Sequence, residues 1–147
     1  MHADEEDEVQ AIPGTVKILL VDDDQMIHDT MALLLGNTEF SLVSAMNVKG
    51  AIDIVASDRP DIIITDAMMP GESGFSLIDK LKSRPETSRI PVILWTGLED
   101  LSGGAKDSSR KADFSMSKPF YRSEIMATLE RAKMSIISDK TNGDFST

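Results

Sequence analysis

Short apolar runs alternate with longer helical patterns along the middle of this chain, and that alternation restricts its fold more than any other feature of the sequence. Val16–Val21 (VKILLV) reads as a strand closed by three aspartates. Behind it, residues 26–35 carry apolar side chains at 26, 27, 31, 33, 34 and 35 before a Gly36-Asn37 stop. Phe40–Ala45 predicts a second strand, and Val48, Ala51, Ile52, Val55 and Ala56 fall at helical spacing behind Asn47, a residue suited to capping. Residues 61–65 (DIIIT) form a continuous apolar run, as expected of a strand covered on both faces. Phe75, Leu77, Ile78 and Leu81 mark a third helix that ends near Pro85. Residues 90–95 and 113–117 predict two further strands, with a thinly apolar helix over 98–111 between them, weakened by Gly103-Gly104. Ile125, Leu129, Ala132 and Ile136 line a final helix. Five strand-then-helix units in strict alternation predict an α/β fold: a five-stranded parallel sheet with helices on both faces, a doubly wound three-layer sandwich.

Length and charge narrow the functions open to such a fold. The 147 residues suffice for one domain, and a formal net charge of −10 argues against direct nucleic-acid binding and against attraction to anionic lipid. Zero cysteines exclude disulfides, thiolate metal sites and cysteine nucleophiles. The apolar runs are far too short for membrane insertion, and the N-terminus is acidic where a signal peptide is basic, so a cytoplasmic location is expected. Five acids between Asp4 and Glu8 predict a flexible acidic extension over residues 1–14. The domain itself is expected over 15–137, with a polar, frayed tail over 138–147.

In open parallel sheets ligands bind beyond the carboxyl ends of the strands. Here the first strand ends in Asp22, Asp23 and Asp24, the third in Asp66, the fourth in Thr96, and the fifth runs into Lys118. In the order 2-1-3-4-5, strands 1, 3 and 4 are neighbours, and carboxylates, a hydroxyl and an ammonium converge on one edge. Clustered carboxylates need a cation, and hard oxygen ligands without His or Cys favour Mg²⁺. A carboxylate beside such an ion suits phosphoryl transfer.

Four motifs carry a resemblance: Ile18-Leu-Leu-Val-Asp-Asp-Asp24, Asp66-Ala-Met-Met-Pro-Gly-Glu-Ser-Gly74, Trp95-Thr-Gly97 and Lys118-Pro-Phe120. In order, spacing and strand context they resemble the receiver domain of two-component response regulators, over about residues 15–135. The resemblance implies a flavodoxin-like (βα)5 fold in which Asp66 accepts a phosphoryl group from a sensor histidine kinase or histidine phosphotransfer protein. It implies Mg²⁺ held directly by Asp23, through water by Asp22, and by Asp66 and the backbone carbonyl of Met68. Thr96 is then the hydrogen-bond donor to the phosphoryl group and Lys118 its ion-pair partner, with a cis bond before Pro119. A stand-alone switch acting on an unknown downstream protein target is expected, with at most weak self-phosphorylation and self-dephosphorylation.

Some positions depart from the pattern or carry no site role. Asp24 lies beyond the matched acidic pair and has no assigned metal role. The family's aromatic switch position falls on Ser115, with Phe114 on the opposite face, so phosphorylation is expected to be read through the loop after Thr96 and the helix over 98–111. Trp95 is expected in the core, the nine methionines as core filler, and His28 at the surface on the kinase-docking face. Two other readings remain: a haloacid-dehalogenase-like phosphatase with Asp22 as nucleophile, and a non-phosphorylated receiver-like scaffold for protein interaction.

Overall fold

Short parallel strands occupy the centre of the protein, whose computed structural model describes residues 15–96, 112–118 and 121–146. The acidic segment over 1–14, the helix and signalling loop expected over 97–111, and Pro119-Phe120, with the cis bond expected before Pro119, lie outside the described residues. The strands are β1 (Val16–Val21), β2 (Phe40–Ala45), β3 (Ile62–Asp66), β4 (Val92–Thr96) and β5 (Phe114–Ser117). The described helices are α1 (Gln25–Leu35), α2 (Val48–Ser57), α3 (Gly74–Lys82) and α4 (Arg122–Ser146). All neighbouring strands are parallel, in the order β2-β1-β3-β4-β5. The predicted flavodoxin-like order is therefore the observed one. β4 starts two residues later than the apolar run predicts. Pro91 has no N–H to donate, and Ile90 turns its own back to the Thr87 carbonyl.

Strand alternation divides the core into two layers. Ile18, Leu20, Ile62, Ile64, Ile93, Trp95 and Met116 point to the α1/α4 face, where they meet Met31, Leu35, Ile125 and Leu129. Leu19, Val21, Ile63, Val92 and Leu94 point to the α2/α3 face, against Ala51, Val55, Leu77, Ile78 and Leu81. Burying each large apolar side chain contributes about 1.5–3 kcal/mol, so both faces must be covered for the sheet to persist.

Local signals set where each helix begins. The Asp24 carboxylate accepts from the Met26 N–H, Asn47 from Gly50 as predicted, and Ser73 from Ser76. Past the end of α1, Asn37 takes a positive φ of 65°, a conformation asparagine tolerates better than most residues. Helix α4 continues beyond residue 137, where the sequence predicts a tail. The methionine expectation is corrected in part. Met31, Met69 and Met116 are buried, whereas Met26, Met46, Met68 and Met134 are exposed, because turns and helix faces away from the sheet offer them nothing to pack against.

Candidate functional site

The strand order leaves a switch point between β1 and β3, since β1 pairs with β2 on one side and β3 on the other. The acidic residues close on this point. One carboxylate oxygen each from Asp22, Asp23 and Asp66 lies within 4.8 Å of the others. Lys118 places its Nζ 3.0 Å from Asp66 Oδ1. A cavity of about 450 Å³ at this edge is lined by Asp22, Asp23, Asp24, Gln25, Ile27, Asp66 and Lys118. Thr96 and Met68 are not among its lining residues. Thr96 is buried at the end of β4, next to Trp95, the β-sheet partner of Asp66. Met68 follows β3 by two residues and exposes its side chain.

The three carboxylates differ in environment. Asp23 is exposed, whereas Asp22 and Asp66 are only 1% and 5% exposed. Asp22 Oδ1 accepts from the Asp24 N–H at 2.9 Å. Its other oxygen is buried and finds no hydrogen-bond partner among the described residues. Burial pushes the Asp22 carboxyl above the usual aspartate range; the charges of Asp66 and Asp23 push the same way, against the Asp24 N–H and Lys118. A buried carboxylate with one unpartnered oxygen, gathered with two other carboxylates, is the surrounding a hard divalent cation satisfies. The oxygen-only donor set fits Mg²⁺, which keeps several waters and needs few protein ligands. Asp24 also lines the cavity, and its carboxylate is the N-cap of α1.

Other residues support the site in ways the sequence reading did not capture. A Cβ on Gly74 would fall 2.0 Å from the Asp66 carbonyl oxygen and 2.9 Å from its carbon. The Gly74 N–H also donates to the Ala67 carbonyl at 2.9 Å, so the start of α3 lies directly against the backbone of the acidic residue. Trp95 is 1% exposed, as expected of a core residue, yet Lys118 Nζ lies 5.9 Å from its ring centroid. The surface placement of His28 is wrong. It is 2% exposed, and its Nε2 lies 2.8 Å from the Asp22 carbonyl, because positions 28, 31 and 35 share the buried stripe of α1. Phe114 is half-buried on the α4 side, where Arg131 approaches its ring, while Ser115 is exposed. The two therefore do face opposite ways.

Comparison with known proteins identifies the family and the fold. A model of the response regulator receiver domain family matches residues 18–130. Response regulator MprA of Mycolicibacterium vanbaalenii is 31% identical over 114 residues, which are 78% of this chain and 48% of that protein. MprA of Mycobacterium tuberculosis is 30% identical over 115 residues, 78% of this chain and 49% of the other. The chain thus spans about half the length of the curated relatives it matches. The signal receiver domain of a signal transduction histidine kinase from Syntrophus aciditrophicus superposes with a TM-score of 0.72 at 29% identity, covering 80% of this chain and 89% of that one. A response regulator receiver domain protein from Clostridium thermocellum gives 0.71 at 25% identity, covering 80% and 93%. Neither the phosphatase nor the scaffold reading is favoured by these relatives. No described helix is long and apolar enough to cross a membrane. The family match begins inside β1, takes in the described strand ends and stops within α4, and on that ground the chain belongs to the response regulator receiver domain family, the signalling switches of two-component systems.

Proposed function

We propose that Asp66 accepts a phosphoryl group from the phosphohistidine of a sensor histidine kinase or histidine phosphotransfer protein, and that the phosphorylated chain binds a downstream protein target differently from the free one. The observation that carries this reading is the meeting of the Asp22, Asp23 and Asp66 oxygens within 4.8 Å, with the Lys118 ammonium on Asp66. An Asp66 oxygen attacks phosphorus, the phosphorus–nitrogen bond of the donor breaks, and an acyl phosphate results. Asp23 and Asp66, the Met68 carbonyl, and Asp22 through water would hold Mg²⁺. When bound, the ion shields the attacking carboxylate from the incoming phosphate and offsets charge on the transferred oxygens. Lys118 moves from the Asp66 carboxylate to a phosphoryl oxygen, and the Thr96 hydroxyl donates to another. Slow attack of water on the acyl phosphate returns the chain to its free state.

Mass spectrometry after incubation with acetyl phosphate and Mg²⁺ tests the proposal. The wild type gains one phosphoryl group, Asp66→Ala gains none, and chelation of Mg²⁺ prevents the gain. Label that survives in Asp66→Ala but disappears in Asp22→Ala would transfer the chemistry to Asp22. A wild type that neither gains mass nor traps beryllofluoride would leave only a binding scaffold.

A further inference from the structure

The turn bearing Asp22 and Asp23 is fixed at several points. The Asp22 N–H donates to the Ala45 carbonyl at 3.1 Å, and the Asp24 N–H donates to Asp22 Oδ1 at 2.9 Å. The remaining backbone group of Asp22, its carbonyl, faces His28 Nε2 at 2.8 Å. A carbonyl oxygen can only accept, so Nε2 carries the hydrogen. The ring is buried, and its Nδ1 has no partner among the described residues. Packing does not account for this choice of residue. An apolar side chain would continue the Met31 and Leu35 stripe without enclosing an unsatisfied ring nitrogen, but it would leave the Asp22 carbonyl without its donor.

We infer that His28 is a positioning residue for the metal site: by donating to the carbonyl between Asp22 and Asp23, it sets the direction in which the two carboxylates leave the backbone. Three carboxylates gathered within 4.8 Å repel one another, and the peptide joining two of them needs an anchor on the rigid body of α1. His28 closes the first turn of that helix, against the Asp22 carbonyl and outside the cavity lining. The histidine therefore acts through the peptide and touches neither ion nor phosphate.

This inference rests on the proposed Mg²⁺ site, and two measurements test it. Nitrogen-15 NMR of the wild-type imidazole at pH 8 is expected to show a protonated Nε2 and a bare Nδ1; the opposite tautomer overturns the inference without any variant. Mg²⁺ titrations followed by amide chemical shifts then compare His28→Leu, which removes the donor, with His28→Gln, whose side-chain amide restores one at similar reach. The leucine variant is expected to bind Mg²⁺ about tenfold more weakly and the glutamine variant within about threefold of wild type, the scale seen when groups behind metal ligands are removed. Equal weakening in both variants makes the effect one of packing and overturns the inference, as does wild-type affinity in His28→Leu. His28→Met replaces the leucine variant if the latter fails to fold. A wild type without Mg²⁺-dependent shifts overturns the metal reading itself, whereas normal wild-type binding with an indifferent leucine variant overturns only the role of His28.

Discussion

Where the strands begin, each buried or half-buried carboxylate meets a lysine; where they end, three carboxylates crowd together and Lys118 pairs with Asp66. At the first edge Lys17 pairs with Asp58, Lys82 with Asp113 at 2.7 Å, and Lys133 with Glu39 at 2.7 Å. Asp113 also accepts the Val92 N–H and Asp61 the Lys17 N–H, so these carboxylates close backbone groups as well as ion pairs. At the second edge a buried Asp22 oxygen has no partner among the described residues, and burial and like charge raise its pKa. One edge consolidates the fold, and the other holds carboxylate repulsion that Lys118 offsets only at Asp66 and that a divalent cation can relieve. Perturbed groups of this second kind cluster at functional sites.

The largest effect that would break this contrast is expected at Gly74. A methyl group there meets the Asp66 backbone, which cannot swing aside as a side chain can. Gly74→Ala should cost about 3 kcal/mol or more in urea denaturation. A variant of wild-type stability would show that the acidic edge yields freely.

The next effect belongs to the paired edge. Burial pushes the Glu39 carboxyl up, but side-chain hydrogen bonding, first from Lys133, outweighs it and leaves Glu39 below the usual glutamate range. Its contribution is therefore present above that range and is lost as pH falls through the lowered value. Glu39→Gln should cost about 1–2 kcal/mol at neutral pH, because the partly buried pair loses its charge-assisted hydrogen bond. Denaturation curves of the two proteins should converge in strong acid.

The smallest expected effect has the opposite sign. The Asp22 pKa is raised on folding, so this group's contribution to stability declines as pH rises from the ordinary aspartate range through the raised value. Asp22→Asn should raise the metal-free melting temperature at neutral pH by about 2–4 °C, and the gain should vanish in acid, where both states are protonated. Mg²⁺ should raise the wild-type melting temperature and leave that of Asp22→Asn nearly unchanged. Thermal melts with Mg²⁺ and with chelator check both statements.

Much of this arrangement is legible in the sequence because it depends on local pattern. Apolar runs closed by polar residues locate the strands and, at Asp22, Asp66 and Lys118, the edge where charged side chains gather. Capping by Asn47 is equally local. What escapes the sequence depends on register between distant segments. The approach of Lys118 to Trp95 follows from how β4 and β5 are aligned, and that of Gly74 to Asp66 from how the turn after β3 folds back on the strand end, which no spacing along the chain records. His28 is a different case. Its spacing to Met31 and Leu35 marks the buried face, and its polar character conceals this until a carbonyl is found to meet it.

The contact between Lys118 and Trp95 has a practical consequence. The chain contains one tryptophan, and the Lys118 ammonium, to which the proposed function gives a phosphoryl partner, lies 5.9 Å from its ring. Any event that draws the lysine away changes the charge beside the indole, so under the proposed transfer tryptophan emission would follow the state of Asp66.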